Sequence, residues 1–253
     1  MNFKEKVVII TGGSSGIGLA AARQLAAQGA LVAIAAPGSD TLDEVADSIE
    51  RSVAIPTDMT DDASVQAMVK KVHEHFGRID ILINNAGKGY ESPLELVEAD
   101  KVRYLFDLHV VGPLVAVQAV LPIMRAQSGG RIVNVSTPTA KMALPGLGAY
   151  SLTKIALTHM TLVMRKELAK DNIEVSAFYP FITSSQFGKN VFKMDPREME
   201  AKAQRQDFLP DPDSAEFTAS RLIESIGSNK KEFMARGNAH FVWGIIKKRF
   251  KKK

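Results

Sequence analysis

Three residues carry side chains suited to acid–base chemistry on an oxygen atom: Ser136, Tyr150 and Lys154. Tyr150 and Lys154 stand four apart, which puts both on one face if their segment is helical. A free phenol titrates near pH 10, too high for base work at neutrality. A neighbouring ammonium favours phenolate and is expected to lower that value by about 1–3 units. A phenol tuned in this way can protonate a carbonyl oxygen or, in reverse, deprotonate an alcohol. Ser136 would hold that oxygen by a hydrogen bond. The plain alternative for Tyr-x-x-x-Lys is a solvated pair on a helix surface. The two readings separate on whether the strand ending at Ser136 and the helix starting near Tyr150 meet at one sheet edge.

The surrounding pattern supplies such an edge. Val7 to Ile10, Leu31 to Ala35, Val53 to Ile55, Ile79 to Ile83, Arg131 to Val135 and Ile173 to Phe178 read as short apolar strands. Helical spacing fills the intervals: Ile17 to Gln28, Thr41 to Glu50, Asp61 to Phe76, Asp100 to Gln127 with a break near Gly112-Pro113, and Ala149 to Ala169. Near-continuous apolar strands alternating with helices predict a parallel sheet covered on both faces, a doubly wound α/β (Rossmann-type) fold. After Pro180 the rhythm stops. Residues 183–212 are irregular apart from a helix expected at Pro196 to Gln206. A helix at Asp213 to Ile226 and a strand at Glu232 to Ala235 restore it. The expected organisation is a single domain over 1–240, with 183–212 inserted over the strand ends and a tail at 241–253.

Between the first strand and first helix lies Thr11-Gly12-Gly13-Ser14-Ser15-Gly16-Ile17-Gly18. Gly12 permits the tight turn, Gly16 lets backbone approach a diphosphate, and Gly18 lets helix and strand pack closely. Unpaired first-turn N–H groups and the helix dipole favour an anion there. A nucleotide cradle is the expectation; a ligand-free glycine turn is the alternative. Asp58, beside Met59 after the third strand, is read equally as an acceptor for an adenine amino group and as a turn acid. Asn84-Asn85-Ala86-Gly87 ends the fourth strand, where ligands of open α/β sheets gather; a polar turn uses the same residues. A nicotinamide ring beside Tyr150 would further favour phenolate, and Lys154 would reach the nicotinamide ribose.

Composition excludes other classes. The chain has 253 residues and no cysteine, so thiolate metal sites, disulfides and a cysteine nucleophile are out. His73, Glu74 and His75 diverge around a helix and predict no metal site. Six of the last seven residues are cations, and without those six the formal charge falls from +4 to −2. A basic groove for nucleic acid is therefore not implied. The N-terminal residues run straight into a strand, so no signal peptide is visible, and no uninterrupted apolar run approaches the ~20 residues of a membrane span. A cytoplasmic location is the expectation.

Taken together, the glycine loop, Asp58, Asn84-Asn85-Ala86-Gly87, Ser136 and Tyr150-Ser151-Leu152-Thr153-Lys154 resemble the short-chain dehydrogenase/reductase family over roughly residues 4–185. The resemblance implies a seven-stranded parallel sheet, NAD(P), hydride transfer at a carbonyl or alcohol carbon, and dimers or tetramers built on two long middle helices. It assigns Gly12, Ser14, Ser15, Gly16, Ile17, Gly18, Asp58, Met59, Asn85, Ala86, Gly87, Tyr150, Lys154, Pro180 and Thr183 to the cofactor, with Ser136, Tyr150 and Lys154 catalytic. Two departures stand out. Where the family has Asn-x-x-Gly, whose Asn supports a proton-relay water, this chain has His109-Val110-Val111-Gly112. His109 is read either as a fourth catalytic member that holds the water and titrates near neutrality, or as a satisfied structural histidine with the relay weakened. Where the family has Pro-Gly after the sixth strand, this chain has Pro180-Phe181.

The second strand runs into Ala36-Pro37, without the acid that NAD-preferring relatives use and without the Arg of NADP-preferring ones. The missing acid predicts a modest preference for NADP. In the family, 183–212 is the substrate lid, and Phe187, Val191, Phe192, Met194 and Phe208 predict either a lipophilic substrate or plain packing of that lid. The tail, with Trp243 beside the cations, is read as weak membrane-surface contact, a subunit interface or a solvated end. The sequence-level expectation is a carbonyl reductase; its rival is a catalytically impaired nucleotide-binding scaffold or sensor.

Overall fold

A computed structural model describes residues 1–189, 191–192 and 211–237. The expected helix at 196–206, most of the 183–212 insertion and the 241–253 tail lie outside the described residues.

Strands β1 (Val7–Thr11), β2 (Leu31–Ala36), β3 (Ser52–Pro56), β4 (Ile81–Asn84), β5 (Gly130–Val135), β6 (Ile173–Tyr179) and β7 (Glu232–Met234) form one sheet in the order β3-β2-β1-β4-β5-β6-β7. All six pairings are parallel. The chain winds outward from β1 in one direction and, after β3, returns to the other side of β1 through β4. This reversal makes the β1/β4 boundary the switch point. Register places Thr11 beside Ala35, Asn84 beside Asn134 and Val135 beside Phe178, so the carboxyl ends of the strands share one edge.

Both faces are apolar because both are covered. On one side α1 (Gly16–Ala27), α2 (Asp40–Asp47) and α7 (Ala215–Gly227) bury Leu25, Leu42 and Leu222 against Val8, Ile10 and Val133. On the other, α3 (Asp62–Phe76), α5 (Gly112–Ala126) and α6 (Gly148–Leu168) bury Val69, Val120 and Met164 against Ile9, Leu82 and Ile132. Each large aliphatic residue fully removed from water contributes about 1.5–3 kcal/mol. Local signals set the ends of elements. The Asp61 carboxylate accepts from the Ala63 N–H at 2.9 Å to start α3, and Gly77, at φ 76°, stops it. α7 begins two residues later than the sequence suggests. Ser214 caps it, while Asp213 turns away to pair with Arg236 and to bridge Thr183.

The long middle helix does not break at Gly112-Pro113. α4 (Ala99–Phe106) passes through a π-helical turn at Asp107–Val111 and continues as α5. The widened turn accommodates the N–H that Pro113 lacks. A Cβ on Gly112 would sit 2.1 Å from the Met59 carbonyl oxygen, so only glycine lets α5 pass this close to the loop after β3. By length and composition Ala99–Ala126 is apolar enough to cross a membrane. In the fold, Val115, Ala116, Val120 and Met124 of this stretch are core residues.

Candidate active site

A cavity of about 640 Å³ runs along the carboxyl edge of the sheet. That is the size of a cofactor or small-molecule site, about 300–1,000 Å³. Its floor is the switch point. Thr11 Oγ1 accepts from the N–H groups of Asn85 and Ala86, both at 3.0 Å, and Asn85 Nδ2 donates to the carbonyls of Thr11 at 2.9 Å and Gly12 at 3.1 Å. These bonds lock the two loops side by side. They leave no room for side chains: a Cβ on Gly12, at φ 63°, would meet Ala86 Cα at 2.8 Å, and one on Gly18 would meet the Gly12 carbonyl oxygen at 2.4 Å.

The Ser15 side chain makes no capping bond to α1, and Ser14, Ser15, Gly16 and Ile17 form an edge of the cavity. Asp58 lines the cavity next to Met59. One of its oxygens closes the local turn, accepting from the Thr60 N–H at 2.8 Å and the Thr60 hydroxyl at 2.7 Å, which is the turn-acid reading of this residue. Ala36 and Pro37 lie on the same wall. Pro180 and Thr183 line the far end, where Thr183 Oγ1 donates to the Phe181 carbonyl at 2.8 Å. Phe181 is a buried part of this wall. The geometry fits a bound dinucleotide: a side-chain-free cradle at one end and convergent polar groups at the other.

Ser136, Tyr150 and Lys154 all line this cavity. β5 delivers Ser136 just past its last residue, and the first turns of α6 deliver the other two. Ser136 Oγ shares a 2.7 Å hydrogen bond with Thr158 Oγ1. Lys154 Nζ donates to the Val135 carbonyl at 3.0 Å. The Tyr150 ring stands edge-on to Phe187 at 6.1 Å.

The electrostatics differ from the sequence expectation. Burial pushes the Tyr150 phenol above its ordinary value, opposed only by the Thr137 hydroxyl. Burial also pulls the Lys154 amine down to about 7. An amine depressed that far is no longer fully charged at neutrality. The chain by itself therefore does not produce the low phenol pKa that the Tyr-x-x-x-Lys spacing suggests; desolvation of both groups outweighs their attraction.

His109 also departs from expectation. It is fully buried. The Lys88 N–H donates to Nε2 at 3.0 Å, so Nε2 carries no hydrogen. Nδ1–H then donates to Thr153 Oγ1 at 2.8 Å, whose own hydrogen goes to the Tyr150 carbonyl at 2.9 Å. Both ring nitrogens are committed to the chain. Burial, with the Lys154 charge, holds the ring's pKa well below the ordinary histidine value. Of the two sequence readings, the satisfied structural histidine is the one observed; the ring neither titrates near neutrality nor has a nitrogen left for a relay water.

Sequence reasoning missed Thr137, Thr139, Thr158 and Lys88. Thr137 caps the turn Pro138–Lys141 and Thr139 lies within it, and in sequence their hydroxyls look like ordinary turn chemistry.

Comparisons with known proteins agree with this architecture. A family model described as short chain dehydrogenase matches residues 6–196. An uncharacterized oxidoreductase of Staphylococcus saprophyticus is 34% identical over 201 residues, covering 78% of this chain and 82% of its own. Among solved structures, a short-chain dehydrogenase/reductase from Burkholderia phymatum in complex with NAD superposes with a TM-score of 0.86 at 24% identity, covering 93% of this chain and 90% of that one. L-sorbose reductase from Gluconobacter frateurii, complexed with NADPH and L-sorbose, gives 0.80 at 26% identity, covering 92% and 97%.

Proposed function

Because the chain belongs to the short-chain dehydrogenase/reductase family of oxidoreductases, we propose that it reduces a ketone or aldehyde to an alcohol, with Tyr150 as the general acid. One observation carries this reading: a phenol, a hydroxyl and an amine converge on the wall of the cavity whose other end is the glycine cradle. The bound NAD(P)H would supply the hydride. Tyr150 gives its proton to the substrate oxygen, and Ser136 orients that oxygen. Lys154 binds ribose hydroxyls. Tyr150 holds its proton at neutrality, so the proton to be transferred is in place. The apolar rings of Phe181 and Phe187 on the cavity wall favour a substrate with a lipophilic face.

Ala36 and Pro37 present no carboxylate to an adenosine ribose, which supports a modest preference for NADP(H) over NAD(H). A tenfold or greater preference for NAD in measured dissociation constants would overturn that preference. Association of copies through the outer face of α6 is supported by Leu152, Ile155 and Val163, which are 50%, 47% and 40% exposed at helical spacing.

The test of the main reading is a panel of ketones and aldehydes assayed with NADPH and NADH. Turnover by the wild type that falls at least a hundredfold in Tyr150→Phe supports it. Tight dinucleotide binding without turnover of any carbonyl or alcohol supports instead the scaffold reading, which the closed hydrogen bonding of His109 favours.

A further inference from the structure

A serine holds a carbonyl oxygen only by donating its one hydroxyl hydrogen to it. In this structure that hydrogen of Ser136 is already engaged. Ser136 Oγ lies 2.7 Å from Thr158 Oγ1, the length of an ordinary O–H···O bond, and 3.3 Å from the Lys154 carbonyl oxygen. Thr158 donates to that same carbonyl at 2.8 Å. With the Thr158 hydrogen on the carbonyl, the hydrogen inside the 2.7 Å contact belongs to Ser136. Ser136 is buried and lines the cavity, and in this arrangement it offers the cavity only lone pairs.

The same two hydroxyls have a second arrangement. Thr158 follows Lys154 by four residues on α6, as Lys154 follows Tyr150, so the catalytic face of the helix runs on to it. When Thr158 turns its hydrogen to Ser136 Oγ, the 2.7 Å contact still contains a hydrogen, and the hydrogen of Ser136 is released for the cavity. The Lys154 carbonyl gives up only a side-chain donor, because inside a helix it also accepts a backbone N–H four residues on. A hydroxyl that itself accepts a hydrogen bond is the stronger donor.

Resting on the oxidoreductase reading above, we infer that Thr158 is a positioning residue that sets the donor direction of Ser136. By moving its hydrogen from the Lys154 carbonyl to Ser136 Oγ, it lets Ser136 donate to the substrate oxygen. Only two O–H bonds rotate; no bond in the Ser136–Thr158 pair is made or broken. The carbonyl oxygen gains negative charge as hydride reaches its carbon and before Tyr150 delivers the proton, so the Ser136 hydrogen bond matters most in the transition state. Thr158 is half-buried and does not line the cavity, so it acts on the substrate through Ser136 alone. Its contribution therefore belongs to kcat more than to KM.

The test is a double-mutant cycle of Thr158→Val with Ser136→Ala, beside Thr158→Ser and Tyr150→Phe, run on a carbonyl that the wild type reduces. Valine keeps the shape of threonine and removes the hydroxyl. Expected for Thr158→Val is a kcat about tenfold lower, with the KM for the carbonyl and the dissociation constant of the dinucleotide within about twofold of wild type. Thr158→Ser keeps the hydroxyl and returns kcat to within about twofold. In the Ser136→Ala background, Thr158→Val changes kcat by less than about twofold, because the group it acts through is gone. Thr158→Ala gives the same pattern and replaces the valine variant if that one does not fold. A kcat unaffected by loss of the Thr158 hydroxyl, or lowered equally with and without Ser136, overturns the positioning role; the oxidoreductase reading stands as long as turnover requires Tyr150. Turnover that survives Tyr150→Phe, or a wild type that turns over no carbonyl, removes both.

Discussion

Replacing Lys154 by Met tests the electrostatics of the site without any substrate. Lys154 is 4% exposed, and its amine titrates near 7 in the fold against 10.5 unfolded. The folded value is depressed, so between those limits the unfolded chain binds more protons. Stability must then rise with pH across that window and level off below 7, where both states are protonated. At 1.36 kcal/mol per unit, the difference of about 3.5 units is worth about 5 kcal/mol in total. The part falling between pH 7 and 9 is about 2 kcal/mol. With a urea m-value of about 3 kcal/mol/M for a chain of this size, the midpoint should rise by about 0.7 M. The window avoids the other perturbed groups. The proton linkage of His109 lies at lower pH, and Tyr150 and Tyr179, both pushed upward by burial, act only above about pH 10. Lys154→Met keeps the length of the side chain and removes the titration, so its midpoint should be flat from pH 7 to 9. A wild-type midpoint that does not move, or one that moves equally in the variant, would falsify the claim that this amine is desolvated.

Gly18→Ala forces a Cβ against the Gly12 carbonyl and Asn85 Nδ2, neither of which can yield without opening the switch point. Dinucleotide affinity measured by fluorescence titration should fall at least tenfold, and unchanged binding would show that the cradle is looser than its contacts imply. Ile155→Glu puts a charge in the exposed apolar row of α6. Light scattering should show a smaller assembly than wild type, and an unaltered mass would place any interface elsewhere.

Much of this site was legible because strands and glycines leave local signals. Val7 to Ile10 has to be buried on both faces, and a chain that alternates such runs with helices has few topologies open to it. The Gly12, Gly16 and Gly18 spacing follows from a close approach of backbone to backbone that the structure shows directly at Gly12 and Gly18. The π turn before Gly112 left no such signal. Its cause is a carbonyl on a distant loop, that of Met59, and a proline that a helix tolerates once one turn widens. Thr137 and Thr139 were invisible for a related reason. The Thr139 hydroxyl gains its Ser151 partner only when α6 packs against the turn after β5.

The least legible feature was the sign of the acid–base tuning. A spacing of four residues says that a phenol and an amine share a helix face, but not how much water reaches them. In the fold Lys154 is nearly sealed beneath Gly87 and the end of β5. The same burial that disfavours its ammonium disfavours the Tyr150 phenolate, and the two shifts share one physical origin.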